Sequence, residues 1–374
     1  MHQPRKHVKQ RNYEVLLIIG YGHSGTTILD MVLGSAEGSF SCGELTYITR
    51  NQFFEEYCSC GSVIRECPFW SVVFEKWVGN DRTSTSTLTS TSTGRSAQRS
   101  SQNSAQAQPP MTLEEYRLLR DQFEGNKAFL RTVFRYLFRD DAYRRYVLAT
   151  ERLYDLIAEE SGASVIVDSS KSASRAFLLA SFCRVRVVHA IRNFRGVLNS
   201  ERKDVKVDLK AGIEAASKPK KAKKVLIDWV LSNVMCSVSR IWFGGKKLHF
   251  RQWIRFPDLV LLVQPALQPG FEKGLFKAEH MVAGNAIRMK PPQKLRVGQV
   301  LGSGTQGLEA HGSGGPGSRA QDSRAQDSRA QDSRAQDSRA QDSRAQDSHR
   351  YPRLGKRHQL LGRIVETLLP SWNR

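Results

Sequence analysis

The stretch VLLIIGYGHSGTTILDMVL, Val15 to Leu33, reads as a buried strand, a glycine-bracketed turn and a helix. Val15 to Ile19 is a short apolar run rich in β-branched residues, and Ile28, Leu29, Val32 and Leu33 recur at helical spacing, which leaves Gly20 to Thr27 as the connection. Such a connection is a phosphate or sulfate cradle. Backbone N–H groups at the helix start face an anion, and Gly20, Gly22 and Gly25 let the backbone approach it closely. Ser24, Thr26 and Thr27 add hydroxyl donors at the positive end of the helix dipole. The nucleoside-triphosphatase version of this loop requires G-x-x-x-x-G-K-[ST]; Gly20 and Gly25 keep the spacing, but Thr26 stands where the lysine belongs. This disfavours an ordinary ATPase or kinase. Taken alone, the loop is also compatible with a tight structural turn.

A second segment, Val165 to Lys203, alternates strand, helix, strand and helix, with polar residues gathered at the strand exits. In an open α/β sheet that edge is where ligands bind. Val165 to Val167 is one expected parallel strand, followed by Asp168, Ser169, Ser170 and Lys171; Val185 to Ile191 is another, ending in Arg192. If Phe194 to Ser200 turns into helix, Arg192 and Ser200 close on one phosphate, the arginine by a charged fork and the serine by a neutral donor. The expected fold class is α/β, a single three-layer domain around a mostly parallel, P-loop-like sheet.

With these two segments in place, the chain resembles the PAPS-dependent sulfotransferases, which move a sulfuryl group from 3′-phosphoadenosine-5′-phosphosulfate (PAPS) to an acceptor hydroxyl or amine. GHSGTTIL, Gly22 to Leu29, looks like the family's 5′-phosphosulfate loop, and RNFRGVLNS, Arg192 to Ser200, looks like its 3′-phosphate element. CGEL at Cys42, CSCGSVIRECPFW at Cys58, DSSK at Asp168 and HMVAGNAIR at His280 resemble elements of a bacterial-type branch, so the likeness runs from about Tyr13 to Lys290. The resemblance implies that Gly22, His23, Ser24, Gly25, Thr26 and Thr27 hold the phosphosulfate, and that Arg192 and Ser200 hold the 3′-phosphate. Gly284, Asn285 and Arg288 would form a later loop that closes over that phosphate. It also implies a base that deprotonates the acceptor, and Glu44 of CGEL is the first choice. His23 is the alternative base or, if protonated, a donor to the bridging oxygen. Lys171 would neutralise charge on the donor, held by Asp168.

Two departures from the family pattern stand out. His23 occupies a position where many members carry Lys or Arg. The segment LHFRQWIRFPDLVLLVQP, Leu248 to Pro265, does not reproduce the strand and Arg-Tyr-Glu-Asp-like segment that usually follow the helix carrying Trp229 and Asn233. This puts local folding and activity in question. A non-catalytic nucleotide-binding remnant of a sulfotransferase and an atypical P-loop kinase are the competing functions.

The 374 residues, 40% of them apolar, suffice for one α/β domain, expected at 13–296. Asp81 to Pro110 is dominated by Ser, Thr, Gln and Ala and is expected to be a solvated insert. Between Met111 and Glu160, Leu119, Phe123, Leu130, Phe134, Leu137, Tyr146 and Leu153 recur at helical spacing, a helical region suited to an acceptor cleft. Residues 297–350 turn Gly-rich and then repeat Ser-Arg-Ala-Gln-Asp six times from Ser318 to Asp347, a disordered tract by composition. Residues 351–374 carry an amphipathic pattern, an expected C-terminal helix.

The net charge of +21 invites a nucleic-acid reading, with nine basic and three acidic residues between Arg202 and Lys224. No zinc-finger spacing or aromatic RNP pattern accompanies it, so no specific nucleic-acid partner is expected. A donor with two phosphates and a sulfate needs positive potential too. Six cysteines without a cleavable signal pattern suggest a reduced, cytoplasmic compartment, and no membrane span is expected. Cys42, Cys58, Cys60 and Cys67 offer four thiols, but C-x-C followed by x6-C is not a standard structural zinc spacing. Buried thiols around Pro68, Phe69 and Trp70 are the expectation, with no metal required. The partners are PAPS and an acceptor of unknown class: carbohydrate, lipid, peptide or small molecule.

Overall fold

A computed structural model describes residues 11–78, 111–265, 275–276, 279–290 and 293–294. The expected insert at 81–110, the repeat tract at 297–350 and the helix at 351–374 lie outside the described residues. Five parallel strands form the central sheet: β1 (Glu14–Ile19), β2 (Ser39–Gly43), β3 (Val165–Lys171), β4 (Arg184–Ile191) and β5 (Lys246–His249), in the order β2-β3-β1-β4-β5. The α/β class read from the sequence holds.

Both faces of the sheet are covered, which is why β1 reads as an unbroken apolar run and not as an alternation. Val15, Leu17 and Ile19 face one core, with α2 (Pro68–Val78), α3 (Leu113–Phe123), α5 (Asp141–Ser161) and α6 (Arg175–Leu179). Leu16 and Ile18 face the other, with α1 (Thr26–Gly34) and α9 (Phe250–Arg255). The expected helical region at 111–160 divides into α3, α4 (Phe129–Leu137) and α5. Thr112 and Glu115 form a capping box on α3, and Gly162 in the left-handed region ends α5. Leu130 and Phe134 of α4 are exposed, so the spacing that places them in a helix does not place them in the core.

The divergent segment at 248–265 folds as part of the domain. β5 completes the sheet, and Phe250, Trp253, Ile254, Val260 and Val263 are buried in the same core as Leu29, Val32 and Leu33 of α1. β3 runs on past the expected Val167 to Lys171, with one extra residue opposite Ile18 and Lys171 at φ 64°. Such a bulge re-aims the side chains at a strand exit. Next to β4 come α7 (Phe194–Glu201) and α8 (Ala222–Trp242). The latter is the one described helix long and apolar enough to cross a membrane. A third of its apolar window is buried, and it sets Val225, Trp229, Asn233 and Cys236 against the protein.

β1 leads through α1 to β2 on one side of the sheet, whereas β4 leads to β5 on the other. The crevice outside their carboxyl ends is therefore the topological switch point, where open α/β sheets bind ligands.

Candidate functional site

The loop after β1 is wedged between its neighbours. A Cβ on Gly20 would lie 2.3 Å from the carbonyl oxygen of Ala190, and one on Gly25 (φ 78°) would lie 2.2 Å from the Phe250 ring. Only glycine fits either place. α1 opens at Gly25 with no side-chain cap and no acidic residue in its first turn. Among the described residues no side chain caps its leading amides. The Ser24 hydroxyl beside them is buried and has no partner among the described residues. An uncapped helix start with an orphaned hydroxyl donor suits an anion.

His23 sits in this loop at φ 63° with its side chain half-exposed. Its Nε2 is 3.8 Å from Glu201 Oε1. Desolvation pushes its pKa below the ordinary histidine value; the Glu201 charge opposes this, while Lys171, Arg192 and Lys220 reinforce it. The balance favours the neutral imidazole. Glu201 also accepts from Tyr21 Oη at 3.0 Å and pairs with Lys220 at 2.7 Å, so it holds the loop from behind.

Arg192 leaves β4 into the same crevice. Its Nη1 donates to the His23 carbonyl oxygen at 2.9 Å and to Ser200 Oγ at 3.4 Å, and its guanidinium lies 5.1 Å from the centre of the Phe250 ring. Asn193 caps α7 by accepting from Gly196 N at 2.8 Å, which presents Ser200 two turns along the helix. The two sequence motifs expected to share one donor are therefore in contact.

Glu44 follows β2 and is buried, with Lys171 Nζ 2.5 Å from its Oε1. Burial works against the Lys171 charge, but the Glu44 charge and hydrogen bond outweigh it and raise the lysine's pKa above the usual value. The segment Met281–Asn285 runs alongside: Val282 bridges Gly43 in parallel, and Asn285 N donates to Thr27 Oγ1 at 3.1 Å. A Cβ on Gly284 would lie 3.2 Å from Glu44 Oε1 and 3.3 Å from Thr27 Oγ1. Gly284 and Asn285 thus close over the place where the loop helix and the carboxylate meet.

Three expectations change. Asp168 does not hold Lys171; it pairs with buried Arg175, whose Nε is 2.7 Å from Asp168 Oδ2 and whose Nη1 reaches Glu124 at 2.6 Å. Tyr154 and Ser170 also donate to Asp168. Arg288 is buried, paired with Glu214 and donating to the carbonyl oxygens of Tyr57, Gly212, Gly284 and Asn285, so in this structure it anchors the closing segment. Cys42 stands apart from the other three cysteines, its thiol donating to the Val167 carbonyl; His280 lies beside Cys58, Cys60 and Cys67 instead. Glu201, Phe250, Arg175 and His280 escaped the sequence reading. HMVAGNAIR contained His280, but nothing in chain spacing tied it to cysteines more than 200 residues away.

No protein-family model matches the chain, and no curated protein does. Among solved structures, the sulfotransferase domain from the Synechococcus PCC 7002 olefin synthase is a distant neighbour. Its TM-score is 0.34 and its identity 13%, over 73% of this chain and 80% of that one.

Proposed function

We propose that the chain transfers a sulfuryl group from PAPS to an acceptor hydroxyl. The carrying observation is the double contact of Arg192 with His23 and Ser200, which joins a 3′-phosphate-type element to a phosphosulfate-type loop across the β1/β4 crevice. The loop amides and the hydroxyls of Ser24, Thr26 and Thr27 would bind the phosphosulfate, and Arg192 with Ser200 the 3′-phosphate. As the acceptor oxygen bonds to sulfur and the bond from sulfur to the bridging oxygen breaks, charge collects on the leaving phosphate. Lys171, kept cationic, would stabilise it. Glu44 would take the acceptor's proton, with neutral His23 as the second candidate base.

A magnesium-dependent kinase fits less well. Thr26 replaces the phosphate-binding lysine, and the Asp168 carboxylate is already engaged by Arg175, Tyr154 and Ser170. The non-catalytic reading predicts donor binding without transfer, and the packing of Phe250, Trp253, Ile254, Val260 and Val263 into the core argues only against local unfolding of that segment.

The test is calorimetric binding of the spent donor, 3′-phosphoadenosine-5′-phosphate, to the wild type and to Arg192→Ala, with ATP as competitor. Loss of one charge-assisted contact set predicts binding weaker by about 10- to 100-fold in the variant. A folded wild type that binds ATP in preference, or neither ligand, overturns the reading.

A further inference from the structure

We infer that Cys58, Cys60, Cys67 and His280 form a structural zinc site. Their four ligand atoms lie within 4.8 Å of one another. The resolved edges are 3.7 Å from Cys60 Sγ to Cys67 Sγ, 3.2 Å from Cys67 Sγ to His280 Nδ1 and 3.9 Å from Cys58 Sγ to the same nitrogen. Zn–S bonds of about 2.3 Å and a Zn–N bond of about 2.0–2.1 Å at tetrahedral angles set sulfur–sulfur edges of about 3.8 Å and sulfur–nitrogen edges of about 3.6 Å. The observed edges match or bracket these. Three thiolates and one imidazole complete a four-coordinate shell, so the site is closed and has no position for a substrate.

The surrounding chain is organised to hold this shell. Gly61 at φ 94° turns the Cys58–Ser62 loop, in which Cys58 N donates to Ser62 O and Gly61 N to Cys58 O. The His280 ring stacks on Phe69, and its carbonyl oxygen accepts from Trp70 Nε1. Such outer contacts fix a ligand histidine in place. Counted along the chain, the cysteines lack a zinc-like spacing because the fourth ligand is His280, which the fold delivers from a remote segment.

The metal would act as a clip. Ser59 N donates to Met281 O and Met281 N to Ser59 Oγ, so the cysteine loop and the segment leading to Gly284 and Asn285 are already paired beside the site. A bound zinc would make that attachment permanent under reducing conditions, where disulfides do not persist.

The full chain, expressed with added zinc and purified under reducing conditions without chelators, should carry one zinc per molecule by elemental analysis. Cobalt exchange should give tetrahedral d–d bands and thiolate-to-cobalt charge transfer. Cys60→Ser, at the exposed member of the set, should lose the metal, whereas Cys236→Ser in α8 should keep it. Where Cys60→Ser fails to fold by circular dichroism, stripping and restoring zinc on the wild type gives the second measurement, with Tm falling and recovering. A metal-free wild type, zinc retained after all three cysteines are changed to serine, or a Tm indifferent to zinc would overturn the inference. Each readout is independent of donor binding, so failure here leaves the sulfotransferase reading to its own test.

Discussion

Buried Glu44 and partly buried Lys171 form an ion pair at the exits of β2 and β3, and under the proposed transfer the pairing would give them different tasks. The Glu44 charge and hydrogen bond raise the Lys171 pKa above the usual lysine value against the cost of burial, so Lys171 would supply charge and not act as the base at neutral pH. Glu44 and His23 remain as the candidate bases for the proposed transfer. A base works deprotonated, so the rate rises as pH passes upward through its pKa. His23 lies below the ordinary histidine value, and a limb due to it would fall below pH 6.5 and disappear in His23→Gln. With Glu44 as the base, Glu44→Gln should lower kcat by about 10²- to 10⁴-fold. Donor affinity should change far less, and His23→Gln should keep its acid limb. Paired kcat and kcat/KM profiles of the two variants check this; an unchanged kcat in Glu44→Gln removes Glu44 from the role.

At the scale of elements, Asp30 shows how α1 is tied to the sheet beneath the loop. Its two carboxylate oxygens accept from Ser41 of β2 and Ser169 of β3, both at 2.6 Å, inside a fully buried joint. Desolvation raises its pKa to about 7, against the lowering effect of the two serine bonds. The folded state then binds this proton more tightly than the unfolded chain, for which the value is 3.8. The contribution to stability is full below that value and is lost as pH rises toward 7, by at most about 4 kcal/mol. Asp30→Asn stays neutral throughout. Urea unfolding should show the variant gaining on the wild type between pH 4.5 and pH 8 (about the window of the shift), and a gap independent of pH would refute the assignment. Strand-loop-helix order and the Arg192–Ser200 contact were legible because each rests on short-range pattern. The Arg175–Asp168–Glu124 joint was not, because a buried arginine has the same local sequence signature as a surface one. The Arg288–Glu214 pair was hidden for the same reason: nothing near Arg288 in the chain announces Glu214.

On the whole-molecule scale the question is which part of the chain carries its net charge of +21. Between 297 and 350, seven arginines stand against six aspartates and one glutamate, so that tract contributes nothing net and the excess belongs to the rest of the chain. The proposed polyanionic donor would be drawn by that excess, and the attraction would weaken as salt screens it. Affinity for 3′-phosphoadenosine-5′-phosphate should therefore fall as ionic strength rises. A chain deleted for 297–350 should show the same affinity and the same salt slope as the full chain, because it keeps both the β1/β4 crevice and the whole charge excess. Calorimetric titrations of the two chains across a salt series decide it. A slope that flattens on deletion would mean that the repeat arginines act on the donor independently of their paired aspartates, and 297–350 would then have to be counted as part of the binding site.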